Sequence, residues 1–287
     1  MGKLKQHYKT FRTLLAVLAI SIFASGCTIK LAYNFLDWGL YWQMEDYVKF
    51  NRDQSSLVKD ELSKLVDWHR SDELPKYADQ LEKLSNGLEN GLTVEQLDDT
   101  YNSLSIGWQR IVIKTLPAAT DIMSKLTDQQ VNDFFEILIE EEQDDARDIE
   151  RDTEEKLSEE RAEYLSKKIS DLIGKLNDEQ KTLIVQWAPR IQPTAQLSLD
   201  HTIQWRIKMQ STMVERQNKQ QLEETLLVLF ANPDQLWSDE YRRAIEKNQH
   251  LVMQLIFDIN QTLTDKQRRK LVRKLNSFIE DLRDLSD

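Results

Sequence analysis

The sequence has 287 residues and a net charge of −11, with seven glycines, five prolines and one cysteine. The negative charge argues against nucleic acid and anionic lipid headgroups as general partners. The single cysteine excludes an intrachain disulfide, and the scarcity of turn-forming residues argues against a sheet-rich fold. An apolar content of 40% is enough for a core. These properties predict an all-α protein, a multi-helix bundle of long antiparallel helices.

Residues 1–26 have the pattern of a secretory signal peptide. Four basic side chains and no acidic ones precede an apolar run over residues 14–23. That run is too short to span a bilayer, and small residues follow it. We therefore predict a signal peptide over residues 1–26 and one helical periplasmic domain over residues 27–287. Removal of the signal peptide changes the net charge from −11 to −15.

The segment Ala24-Ser25-Gly26-Cys27 resembles the lipobox of bacterial lipoproteins. The resemblance implies cleavage between Gly26 and Cys27, and acyl chains on Cys27 that anchor the protein in a lipid bilayer. Thr28 stands where an aspartate tends to retain such proteins in the inner membrane. Its presence favours the outer membrane, facing the periplasm, over the inner membrane. An ordinary signal peptide with an incidental cysteine is the alternative.

Residues 31–50 form an apolar, aromatic segment just after the predicted anchor. Trp38 and Trp42 lie at helical spacing, which predicts a helix. We expect this helix to be buried and the tryptophans Trp38, Trp42, Trp108 and Trp205 to belong to the core. A helix lying on the membrane is the alternative, although three acidic residues in the segment disfavour it.

A recurring motif marks the starts of several helices. It consists of Leu, then Thr or Asn, and Gln three residues later, in Leu92–Gln96, Leu126–Gln130, Leu176–Gln180 and Leu263–Gln267. Each is a capping box, in which the Thr or Asn side chain and the Gln side chain satisfy exposed backbone N–H groups. The motif is also similar to one in small helical periplasmic chaperones of the envelope stress response. Capping alone can account for the motif and is the preferred interpretation.

The segment after Thr127 is strongly acidic. Residues 136–163 hold fourteen acidic and four basic side chains. We predict one long acidic helix, from Asp128 to about Gly174, that projects into solvent. Charge pairs one turn apart would help to hold it. A solvated surface and a binding site for cations or a basic partner are both open interpretations of its charge.

The sequence contains no pattern that predicts catalysis. His69, His201 and His250 are isolated, without the helical pairing that metal sites use. Neither a nucleophile motif nor a phosphate-binding loop is present. We therefore predict no catalytic residue, no metal, no cofactor and no small-molecule substrate.

The N-terminal third resembles a family of proteobacterial lipoproteins of unassigned function. The residues that carry the resemblance are Leu31-Ala32-Tyr33-Asn34, Trp38, Tyr41-Trp42, Tyr47, Gln54, Trp68-His69-Arg70, Glu73-Leu74-Pro75 and Tyr77. The resemblance implies a helical fold and no particular activity.

Three functions follow as hypotheses. The first is a non-enzymatic protein-interaction module of the cell envelope, with Trp68, His69 and Tyr77 as the candidate partner-binding residues. The second is a holdase-like periplasmic chaperone, which requires an exposed concave apolar surface. The third is a cell-wall glycan-cleaving enzyme, which requires a cleft holding a carboxylate in an apolar setting.

Overall fold

The computed structural model describes the backbone of residues 26–287 and the side chains from Lys30 onward. The predicted signal peptide lies outside the described residues, apart from Gly26. Every regular element from residue 26 onward is helical, which confirms the predicted all-α class. None of these helices is both long and apolar enough to cross a membrane.

The α-helices are named in chain order. They are α1 (Gly26–Asn34), α2 (Leu36–Tyr47), α3 (Arg52–Trp68), α4 (Leu74–Asn90), α5 (Val94–Ser124), α6 (Asp128–Arg151), α7 (Glu154–Ile173), α8 (Asp178–Trp187), α9 (Ala195–Val214), α10 (Lys219–Leu226), α11 (Asp239–Gln261) and α12 (Asp265–Ser286). A π-helix, His69–Glu73, joins α3 to α4 without a loop. A second π-helix, Leu227–Ala231, follows α10.

The four predicted capping boxes are all present. Thr93, Thr127, Asn177 and Thr264 cap α5, α6, α8 and α12, each together with the glutamine three residues later. The structure adds a fifth box at α3, formed by Asn51 and Gln54. Sequence analysis missed it because Phe50, rather than leucine, precedes the asparagine.

The predicted single acidic helix is wrong, because the chain breaks at Asp152. Thr153 caps the new helix α7 by accepting a hydrogen bond from the backbone N–H of Lys156. The break lets α7 pack on α8 and α12, where its last residue, Ile173, is buried. None of residues 143–160 is buried, so the acidic region is solvated as predicted.

Helices α2–α6 and helices α7–α12 form two halves of the bundle, and the helix–helix contacts in one half correspond to those in the other. In the first half α2 packs on α3 and α6, and α3 packs on α5. In the second half α7 packs on α8 and α12, and α8 packs on α11. The halves interlock, since α4 of the first packs along α12 of the second, and α9 of the second packs along α6 of the first.

The main apolar clusters lie at these two exchanged contacts. Leu74 and Ala78 of α4 pack with Leu275 and Ile279 of α12. In the other contact, α6 contributes Phe135 and Leu138, whereas α9 contributes Met209 and Met213. Burial of apolar surface at these contacts stabilises the arrangement, and it fixes α12 next to the N-terminal helices.

Candidate functional site

An exposed apolar surface runs along α1 and α2. Leu31, Phe35, Trp38 and Trp42 form it, and their side chains are 62%, 59%, 65% and 61% exposed. The rings of Trp38 and Trp42 stack, with centroids 6.4 Å apart. We call these four residues the aromatic stripe. The prediction that this helix buries Trp38 and Trp42 is therefore wrong.

The neighbouring side of α2 explains the error. Tyr41 is buried there, and its hydroxyl bonds to Glu45 and Ser55. Helix α2 thus has apolar residues on more than one side, so spacing alone could not show which side faces the core.

The other two tryptophans that were predicted to belong to the core, Trp108 and Trp205, lie in the bundle. The indole N–H of Trp108 donates to the carbonyl of Phe230 at 2.8 Å, and that of Trp205 donates to the carbonyl of Leu229 at 3.3 Å. Both side chains are half-buried. Trp205 packs against the apolar cluster between α6 and α9. Because both tryptophans remain partly exposed, the prediction that they belong to the core is confirmed only in part.

The bundle holds α1 by polar contacts close to Cys27. Lys30 Nζ lies 2.6 Å from Asp284 and 3.2 Å from Asp281, both on α12. The hydroxyl of Tyr33 lies 2.7 Å from Nδ1 of His69. The chain is therefore fastened to the bundle from the third residue after Cys27. We call Lys30, Tyr33, His69, Asp281 and Asp284 the N-terminal tie.

The three candidate partner-binding residues lie at the junction of α3 and α4, and all are half-buried. His69 and Tyr77 are neighbours, with ring centroids 5.6 Å apart. Trp68 lies under the Nζ of Lys114, which is 5.5 Å from its ring centroid. Tyr77 packs tightly on α5, since a Cβ at Gly107 would lie 2.9 Å from its ring. The structure thus brings the rings of His69 and Tyr77 together and places Trp68 in contact with Lys114.

A buried ion pair lies beside these residues. The Glu73 side chain is fully buried and accepts hydrogen bonds from Arg110 Nε and Nη2 at 2.7 and 2.6 Å. Lys76 Nζ donates a third bond at 2.9 Å. Burial by itself would raise the pKa of Glu73, but the hydrogen bonds from Arg110 and Lys76 outweigh it and lower that pKa. Glu73 is therefore ionised, and it joins the π-helix before α4 to α5.

The contact between Tyr33 and His69 is partly shielded from water. Burial raises the pKa of Tyr33 to about 12. Burial also lowers the pKa of His69 from its usual 6.5, an effect that the nearby Glu73 carboxylate opposes without cancelling. His69 is therefore neutral at pH 7 and can form a hydrogen bond with the Tyr33 hydroxyl.

We expect this burial to make stability depend on pH. The unfolded chain binds a proton at His69 more readily than the folded chain does, so stability is lost as the pH falls below about 6.5. The pKa of Glu73 is lowered from 4.5, so this residue stays ionised in the same range. Urea denaturation at pH 7.5 and 5.5 should show a smaller pH dependence for His69→Gln than for wild type. His250→Gln, at an exposed position, is the control and should keep the wild-type dependence.

The capping glutamines make two matching pairs between the helix starts. Gln54 and Gln130 donate to each other at 3.1 and 2.8 Å, and Gln180 and Gln267 do so at 3.1 and 3.0 Å. We call these the glutamine pairs. One lies in each half of the bundle.

Each paired glutamine also donates to a backbone carbonyl two residues before the cap of its partner's helix. The four acceptors are the carbonyls of Lys125, Lys49, Thr262 and Lys175, reached by Gln54, Gln130, Gln180 and Gln267 respectively. The motif therefore has a structural use beyond capping, which its sequence spacing did not reveal.

The comparison with protein families matches residues 46–242 to DUF6279, a family of unknown function. The chain belongs to this family. The DUF6279 match contains Trp68, His69, Tyr77 and the Gln54–Gln130 pair, whereas the aromatic stripe precedes it. The sequence-based expectation of a family without an assigned function is confirmed. No curated protein and no solved structure matched the chain.

Proposed function

We propose that this protein is an envelope lipoprotein, anchored through acyl chains on Cys27, whose bundle is a non-enzymatic protein-interaction module. The observation that carries the proposal is the N-terminal tie. Lys30 and Tyr33 bond to α12 and to the α3–α4 junction only three and six residues after Cys27. A lipid anchor at Cys27 would thus hold the whole bundle against the membrane surface, without a flexible spacer.

The glutamine pairs bear on the chaperone alternative. Their carboxamides bond to one another and to backbone carbonyls inside the protein. Four of the five capping glutamines are used in this way. These contacts give the motif a use within the protein that requires no client, which supports the interaction module over the chaperone. The interaction module is the proposal that we retain.

Trp68 is the member of the candidate set that we propose for contact with a partner. His69 and Tyr77 bond or pack within the bundle, whereas Trp68 is covered on one side by the Lys114 side chain, which is long and flexible. A half-buried indole beside an exposed lysine is the kind of residue that contributes strongly at interfaces.

The anchor is tested by the intact mass of the membrane form. We expect the mature chain to begin at Cys27 and to carry added acyl mass. Cys27→Ser should keep residues 1–26 and lack that mass. A mature chain that begins at Cys27 without added mass would contradict the proposal and support an ordinary signal peptide.

The interaction is tested by photocrosslinking in living cells, with a photoreactive residue in place of Trp68. We expect one discrete adduct with an envelope protein. The control is the same residue at Val185, which is 63% exposed on α8. Equal crosslinking at both positions, or a ladder of unrelated proteins, would count against a specific site at Trp68 and favour the chaperone alternative.

A further inference from the structure

We propose that the aromatic stripe lies in the interface of the lipid bilayer, so that α1 and α2 rest along the membrane surface. This inference rests on the proposed function, because it requires the lipid anchor at Cys27. The headgroup and upper acyl region of the bilayer would cover the stripe.

The first argument is position. Cys27 lies in α1, four residues before Leu31. A helix rises about 1.5 Å per residue, so Leu31 lies about 6 Å from Cys27 along the axis and Trp42 at most about 22 Å. Phe35, Trp38 and Trp42 recur at intervals of three and four, which keeps them on one side of α2. Leu31 is equally exposed at the end of α1, four residues before Phe35. The stripe therefore begins within about one turn of the point where acyl chains would enter the bilayer.

The second argument is the rigidity of the connection. Lys30 and Tyr33 face the bundle from the same helix that carries Leu31. Phe35 separates α1 from α2 without an intervening loop, and Gly39 N–H still donates to its carbonyl at 2.9 Å. The stripe thus has a fixed orientation relative to the bundle, and an anchored bundle would hold it at the membrane continuously.

The third argument is chemistry. The stripe consists of two tryptophans, one phenylalanine and one leucine, and it contains no lysine or arginine. Tryptophan favours the boundary between headgroups and acyl chains, where its ring is apolar and its N–H can reach water. Asp46, four residues after Trp42 and exposed, ends the stripe. The binding is therefore apolar insertion, as in helices that lie in the plane of a membrane, rather than attraction of basic residues to anionic lipid.

The test uses the full mature protein in vesicles of phosphatidylethanolamine and phosphatidylglycerol. Cys27 is the only cysteine, and acylation would block it. Trp38→Cys and Trp42→Cys would then each provide a single free thiol for an NBD fluorophore. The control is Val185→Cys, because Val185 is 63% exposed, close to the 65% and 61% of the two tryptophans. Part of the lipid carries a nitroxide near the top of its acyl chain.

We expect blue-shifted emission and strong nitroxide quenching at positions 38 and 42, and water-like, unquenched emission at position 185. Water-like emission at all three positions would overturn the inference. A blue shift without quenching would also overturn it, and would show that a protein or a second copy covers the stripe. Failure of the proposed function looks different, since a chain without acyl groups would take up two fluorophores and would not stay with the vesicles.

Discussion

Gln180→Ala should destabilise the protein by about 3 kcal/mol, because several buried polar groups lose their partners at once. Gln180 is fully buried. Its removal takes a donor from the carbonyl of Thr262 and from the side chain of Gln267, and an acceptor from the N–H of Asn177. Urea denaturation of the mature chain, followed by circular dichroism, measures the change.

Gln96→Ala is the matched control for the glutamine pairs. Gln96 caps α5 with Thr93 in the same capping box but belongs to neither pair. We expect its loss to cost about 1 kcal/mol, the usual effect of a helix cap. Equal effects of Gln96→Ala and Gln180→Ala would show that pairing adds nothing to capping. In the double variant Gln180→Ala/Gln267→Ala, the loss should be smaller than the sum of the single losses, because the two residues are partners.

Glu73→Ala should lower the free energy of unfolding by roughly 3 kcal/mol, the lower end of the range for breaking a buried ion pair. The substitution leaves Arg110 without its carboxylate at the contact between α4 and α5. Arg110 is 34% exposed and can be partly hydrated, which limits the loss. Denaturation with urea at pH 7.5 measures it.

Two further variants separate the contributions to this ion pair. Glu73→Gln keeps the shape of the side chain but removes its charge, so its effect should be smaller than that of Glu73→Ala. Lys76 is half-exposed, and Lys76→Ala should cost less than about 1 kcal/mol, as for other pairs near the surface. If Lys76→Ala is as harmful as Glu73→Ala, the stabilisation does not come from the pair with Arg110.

The sequence predicted the helix starts well because a capping box is a local structure. Thr127 and Gln130 satisfy each other's backbone N–H groups within four residues, so their identities alone specify the geometry. Thr153 also caps a helix, but lysine rather than glutamine stands three residues later. The break after Arg151 was therefore missed, and two helices were predicted as one.

The sequence could not predict which glutamines pair. Gln54 and Gln130 are 76 residues apart, and Gln180 and Gln267 are 87 residues apart. Gln54 meets Gln130 because α3 packs on α5, the helix that leads into α6. Gln180 meets Gln267 because α8 packs on α11, the helix that leads into α12. Gln96 has the same local motif but belongs to neither pair. The motif by itself therefore does not show whether a capping glutamine pairs with another one.

The sequence also could not predict which aromatic residues of α2 are buried. Trp38 and Tyr41 are both aromatic and only three residues apart, yet one is 65% exposed and the other 7%. Their difference arises because Tyr41 packs on Val58 of α3, whereas the packing of α1 and α2 on the bundle leaves Trp38 uncovered.

The sequence by itself thus determined the helical class, the capped helix starts and the solvated acidic region, because each depends on composition or on residues within one or two helical turns. The tertiary structure alone decided the interlocking of the halves, the glutamine pairs, the Glu73–Arg110 ion pair and the exposed stripe. Each of these depends on how distant helices pack, and hydrophobic burial is non-directional, so an apolar residue specifies that it can be buried but not against which partner.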